Sequence, residues 1–255
     1  MAERLRTVFR ALPERVKAPL RKVYARAARF SADQRDRQAW LARDYLGFAM
    51  EQRERIFLAT SRFAHINRPI RGYYFEFGCH GANTMRMAWK HTRHLHDWTF
   101  VGFDSFEGLP EIGTADRQTI WKQGKLATSE EDFVRRVTAA GMPRDRLMTV
   151  KGFYDDSLDE ALKARLLPTK AAMVYVDCDL YHSTVPVLRF IKDFLQPGTV
   201  IVFDDWFCFS GDPMRGEQRA WREFREQHPE LRFAEFVQTS EAKAFIHLGP
   251  APAPE

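Results

Sequence analysis

Four aspartates stand at the ends of two apolar runs. Val174-Tyr-Val-Asp-Cys-Asp-Leu-Tyr-His182 carries Asp177 and Asp179, and Val200-Ile-Val-Phe-Asp-Asp-Trp206 carries Asp204 and Asp205. A buried carboxylate is costly without a partner, so four of them require a cation or a dense hydrogen-bond network. Oxygen ligands without a thiolate cluster or a His-x-x-x-His pair suit a hard divalent ion, Mg²⁺ rather than Zn²⁺. Helix N-capping accounts for one aspartate of each pair but not for both.

Two further segments bear on ligand binding. In Tyr73-Tyr-Phe-Glu-Phe-Gly-Cys-His-Gly-Ala-Asn-Thr84 an apolar run carrying Glu76 is followed by Gly78 and Gly81. Such a turn lets backbone approach a ligand closely. In Phe100-Val-Gly-Phe-Asp-Ser-Phe-Glu-Gly-Leu-Pro-Glu111, Asp104 falls about one βαβ unit later, where an acid can accept hydrogen bonds from both hydroxyls of a nucleoside ribose. Each feature alone is common. Together they favour a nucleoside site over two unrelated turns.

The elements that must position these residues follow from periodicity. Residues 33–65 read as helix. Strands are expected at Tyr73–Phe77, Trp98–Phe103, Leu147–Val150, Ala172–Val176 and Thr199–Phe203, with helices near 82–95, 129–140, 156–165 and 182–195 between them. A helix near 216–227 and a closing pair of strands, Phe233–Val237 and Ala244–Leu248, complete the chain. Strands apolar on successive residues suit a sheet covered on both faces, and the alternation with helices implies a mostly parallel, doubly wound α/β sheet. Residues 105–128 form an irregular loop of the length used for lids and binding segments.

Composition adds limits. Apolar residues are 45% of the 255, enough for a sizeable core. The run Ala171 to Val176 is a strand's length and cannot cross a bilayer. Three scattered cysteines form no CxxC pair, which argues against a disulfide framework or zinc site and favours a reducing, cytoplasmic setting. The first thirty residues hold nine Lys/Arg against two acids, so the rest of a chain of net charge +5 sums to −2. The basic pI therefore describes this arm and gives no reason to expect nucleic acid as a partner. The arm places Leu5, Val8, Phe9, Leu12, Val16, Leu20 and Val23 at helical spacings, interrupted by Pro13 and Pro19. It has no apolar h-region of a secretory signal. Packing on its own or a neighbouring subunit, in a homo-oligomer, is the expected role, and weak contact with an anionic membrane surface is the alternative. The expected organisation is a basic arm at 1–32, a helical segment at 33–69 packing on the core, a catalytic domain at 70–249 and a disordered tail at 250–255.

EFGCHGANT, GFDSFEGLPE, VKGFYDDSL, VDCDLYHST and PGTVIVFDDW together resemble the macrocin O-methyltransferase-like family over roughly residues 70–250, and the arm before residue 33 finds no counterpart in that pattern. The resemblance implies a Rossmann-like class I methyltransferase sheet, S-adenosylmethionine and Mg²⁺ as cofactors, and O-methylation of a sugar hydroxyl. It implies Asp177, Asp204 and Asp205 as metal ligands, Asp179 or His182 as general base, and Glu76, Gly78, Cys79, Gly81, Asp104 and Ser105 around the cofactor. The loop departs from some members in lacking a Gly-Gly ending. An acceptor with vicinal oxygens follows, either a small molecule or a glycan, and a phenolic or catechol acceptor chelates in the same way. An apolar strand followed by Asp-x-Asp is also how a metal-dependent glycosyltransferase reads. Against that stand the glycine turn with Glu76, the offset of Asp104 and the second aspartate pair.

Overall fold

The computed structural model describes residues 13–67, 70–118 and 120–250. Leu5, Val8, Phe9 and Leu12 of the basic arm and nearly all of the tail lie outside the described residues. The chain divides into two compact units, residues 1–51 and 52–255.

Helix α1 spans Glu14–Trp40, passes through a π-helical turn at Leu41–Tyr45 and is followed by α2, Leu46–Ile66. The prolines do not interrupt it as the sequence suggests. Pro13 sits at the N-cap, where its missing N–H costs nothing, and Pro19 lies inside the helix, removing one backbone bond without ending it. Along α1 and the π turn, Val23, Phe30, Trp40 and Tyr45 are exposed.

The second unit is built on a seven-stranded sheet: β1 (Tyr73–Phe77), β2 (Thr99–Asp104), β3 (Leu147–Lys151), β4 (Ala171–Val176), β5 (Val200–Phe203), β6 (Phe233–Gln238) and β7 (Lys243–His247). Their order is β3-β2-β1-β4-β5-β7-β6. β1 to β5 pair in parallel, and β7 runs antiparallel to both β5 and β6. The doubly wound sheet expected from the sequence is therefore present, with strand ends displaced by a residue or two. Helices α3 (Asn83–Thr92), α4 (Glu130–Ala139), α5 (Tyr154–Ser157), α6 (Glu160–Leu166), α7 (Tyr181–Ile191) and α8 (Gly216–Gln227) connect the strands. The single helix expected at 156–165 is two. Leu158 leaves the helical region, and Asp159 caps a new start by accepting from the Leu162 amide at 2.7 Å.

Alternation along β1 shows why both faces are apolar. Phe75 and Phe77 meet Phe103 and, across the sheet face, Phe190 of α7. Tyr74 points the other way, toward Phe57 of α2, which also stacks on Tyr175 at 5.3 Å. Ile56, Phe57, Thr60, Ser61 and Ala64 form the buried stripe of α2, at the spacing a helix needs to cover a sheet. Trp206 and Phe209 are buried too, as packing residues, whereas Phe207 is 36% exposed.

Candidate active site

The strand order reverses between β1 and β4, and in an open α/β sheet the ligand crevice lies outside the carboxyl ends at that point. Register places the candidate residues there in one row. Phe77 pairs with Phe103 and with Val176, and Val176 pairs with Phe203. The next residue of each strand end is therefore Asp104, Gly78, Asp177 or Asp204. Backbone bonds continue the ladder through this row: Gly78 N–H to Phe103 O at 3.0 Å, Asp177 N–H to Phe77 O at 2.8 Å, and Asp204 N–H to Val176 O at 2.9 Å. Gly78 has φ +89°, and a Cβ there would lie 1.8 Å from Asp177 O, so only glycine fits.

A cavity of about 570 Å³ opens over this row. Gly78, Cys79, Gly81, Asp104, Ser105, Asp177, Asp179, His182, Asp204 and Asp205 all line it, so the structure gathers every sequence-predicted site residue but one. The exception in placement is Glu76, which is fully buried behind the loop with Tyr74 OH donating to its carboxylate. Burial raises its pKa to about 8, helped by the charges of Asp104 and Asp204 and opposed by the Tyr74 bond. Asp104 builds the glycine turn as well as facing the cavity. Its Oδ2 accepts from the Cys79 amide at 2.6 Å and the His80 amide at 3.3 Å, and its Oδ1 accepts from the Phe106 amide at 2.7 Å. The Ser105 hydroxyl donates to Gly108 O at 2.8 Å, shaping the start of the long loop.

At the other end of the row Asp177, Asp204 and Asp205 each offer an oxygen within 4.8 Å of the others. Burial, and then the like charges of Asp204 and Asp205, push the Asp177 carboxyl well above its ordinary range. Asp205 is raised by burial and then by Asp179 and Asp204, and its Oδ2 is buried with no hydrogen-bond partner. Asp179, in the left-handed region at φ 61° and 7% exposed, is pushed up to about 7 by burial and by Asp177. With the anionic forms of Asp177, Asp179 and Asp205 disfavoured, the cluster is short of positive charge. Three convergent carboxylates and an orphaned oxygen are the donor set a hard divalent cation fits.

Several residues that sequence reasoning missed complete the site. Arg53, from α2, donates to both oxygens of Asp204, with Nε at 3.1 Å, and Tyr175 OH donates to the same carboxylate. Glu217, in the first turn of α8, accepts from the Asp205 amide at 3.0 Å while its other oxygen is buried and unpaired. Asp116, in the long loop, binds the first turn of α7. None carried a signal: Arg53 lies among the charges of a helix face, and Asp116 in a loop without periodicity. Cys79, Cys178 and Cys208 are free thiols, in keeping with the absence of a disulfide pattern. Among the described residues no helix is long and apolar enough to cross a membrane.

Comparison with known proteins places this geometry. A curated relative, the 8-demethyl-8-(2,3-dimethoxy-alpha-L-rhamnosyl)-tetracenomycin-C 4'-O-methyltransferase of Streptomyces olivaceus, is 32% identical over 110 residues; the match spans 40% of this chain and 40% of that protein's length. Among solved structures, the O-methyltransferase NovP superposes with a TM-score of 0.63 at 20% identity, over 77% of this chain and 80% of that one. The calicheamicin methyltransferase CalS11 superposes with a TM-score of 0.60 at 21% identity, over 76% and 77%. These two establish the fold as that of Rossmann-like methyltransferases. The macrocin O-methyltransferase (TylF) family matches residues 4–232, so the basic arm falls inside the family's pattern rather than before it, and the chain belongs to that family.

Proposed function

We propose that this chain transfers the methyl group of S-adenosylmethionine to a hydroxyl of a sugar or glycosylated acceptor, with Mg²⁺ held by Asp177, Asp204 and Asp205. The observation that carries the proposal is the convergence of those three carboxylates within 4.8 Å, on the same row of strand ends as the glycine turn and Asp104. Family membership and the rhamnosyl acceptor in the name of the Streptomyces olivaceus relative support the substrate class.

In the reaction the acceptor oxygen attacks the methyl carbon in line, and the S–CH₃ bond breaks. Its electron pair stays on sulfur, giving S-adenosylhomocysteine, and the hydroxyl proton passes to a side chain of the cleft. Asp177, Asp204 and Asp205 would hold the divalent cation, which would supply Lewis acidity toward the acceptor hydroxyl. The glycine turn admits the cofactor close to backbone, and Asp104 stands where ribose hydroxyls are expected. Asp179 and His182, both on the cavity wall, are the candidates to take the proton; such help is typically worth ~10²–10⁴-fold.

The test uses the full chain with S-adenosylmethionine and three acceptors: a nucleoside-diphosphate deoxysugar, a rhamnosyl glycoside and a catechol. S-adenosylhomocysteine is expected to raise the melting temperature, whereas UDP-glucose, a glycosyltransferase donor, leaves it unchanged. A sugar acceptor is expected to be methylated with Mg²⁺ present and not in EDTA. Undiminished turnover in EDTA removes the metal from the proposal, and methylation of the catechol alone removes the sugar.

A further inference from the structure

The long loop carries one fully buried carboxylate. Asp116 closes a short 3₁₀ turn, Thr114–Asp116, and reaches the N-terminus of α7. Its Oδ1 accepts from the Tyr181 amide at 2.7 Å, and its Oδ2 accepts from the His182 amide at 3.2 Å and lies 2.7 Å from His182 Nδ1. Both oxygens already accept from backbone amides of the α7 N-terminus, so Asp116 faces the ring as a hydrogen-bond acceptor. A neutral imidazole facing an acceptor must carry its proton on Nδ1. Nε2 is then left as the bare acceptor on a ring that lines the cavity and is 60% exposed to it and to solvent.

The ring is confined as well as bonded. Tyr181 meets it edge-on at 5.4 Å, and the backbone of Gly113 comes so close that a Cβ there would lie 3.3 Å from His182 Cε1. Capping the helix accounts for the two amide bonds but not for the third, to Nδ1. By contrast Asp179, the other candidate base, is 7% exposed and is held close to the like charge of Asp177.

We propose that Asp116 is a positioning residue for methyl transfer: it locks His182 in the Nδ1–H tautomer, so that His182 Nε2 receives the acceptor's proton. This rests on the O-methyltransferase reading of the cleft. Since Asp116 belongs to the loop, the base is set only while that loop is docked on α7.

The experiment combines a tautomer measurement with kinetics on the full chain. Long-range ¹H–¹⁵N correlation on ¹⁵N-labelled protein, with His182→Gln to assign the signals, is expected to show a protonated Nδ1 and a bare Nε2 at a pH where the ring is neutral. Asp116→Asn keeps an oxygen for the α7 amides but loses the charge. It is expected to shift the tautomer toward Nε2–H and to lower kcat roughly 10- to 100-fold, within the range general-base help provides. The acceptor KM and the affinity for S-adenosylhomocysteine are expected to stay within about twofold, a split that a merely structural loss does not give. In the His182→Gln background the same substitution is expected to have no further effect on kcat. A wild-type Nε2–H tautomer, full kcat in His182→Gln, or an equal loss from Asp116→Asn in both backgrounds each overturns the proposal. A chain that binds no S-adenosylhomocysteine and methylates nothing overturns the methyltransferase reading and the role of His182 with it. The tautomer pattern still decides the Asp116–His182 bond on its own.

Discussion

Arg53 grips Asp204 with both of its reachable nitrogens, and the Tyr175 hydroxyl holds the same carboxylate from the sheet. A carboxylate offers about four lone-pair positions, of which these donors use three. One position remains for a cation, on a side chain that is 2% exposed and cannot rotate without breaking three bonds. Arg53, Asp204 and Asp205 also line a second, smaller cavity of about 290 Å³, so the ion pair forms part of the wall between the two.

Removing the guanidinium tests this. Arg53→Met leaves Asp204 buried with a phenol as its remaining donor. Breaking a buried pair from one side costs about 3–5 kcal/mol, and since the Arg53 side chain retains 27% exposure, about 2–3 kcal/mol is expected in urea unfolding with EDTA present. Mg²⁺ is expected to restore more stability to the variant than to the wild type, because it meets a carboxylate with no other cation. An unchanged urea midpoint in EDTA rules out a structural role for the pair.

Asp177 is predicted to trade stability for metal binding. Burial, and then the like charges of Asp204 and Asp205, disfavour its ionised form, so Asp177→Asn in EDTA is expected to raise stability by about 1 kcal/mol, as relief of a strained functional site commonly does. The same variant is expected to bind Mn²⁺ or Mg²⁺ at least ~10-fold more weakly, since one of three convergent oxygen ligands is lost. Titration calorimetry measures both the metal and S-adenosylhomocysteine, whose affinity is expected to change by less than about threefold. Parallel loss of the two affinities points instead to a collapsed cavity.

The sheet and its row of acids were legible because both rest on local pattern. Apolar runs ending in Asp177, Asp204 and Asp104 mark buried strands, and the order of a doubly wound sheet brings their ends together. Arg53, Asp116 and Glu217 were not legible, because each acts across more than ten residues of chain on a group whose need for a partner appears only after folding. Pro19 shows the opposite failure: a local breaker signal overruled by its place near the start of a long helix. Glu76 shows a third, in which an acid at the right place in a motif is turned inward by strand alternation, onto the face shared with Tyr74.

That inward turn makes Glu76 a source of pH dependence. Its pKa in the fold is about 8, against an ordinary value of 4.5, so the folded chain holds a proton there that the unfolded chain releases between those limits. Where the native state binds more protons than the unfolded state, stability falls as pH rises. The contribution of Glu76 is therefore fully present below about pH 4.5 and is lost progressively up to about pH 8. Glu76→Gln keeps an acceptor for Tyr74 OH and has no proton to lose. Its stability relative to wild type is expected to increase from pH 5 to pH 8, by on the order of 2 kcal/mol or more. Urea unfolding at several pH values in EDTA measures the difference, and a gap that stays constant across that range shows that Glu76 is ionised in the folded chain.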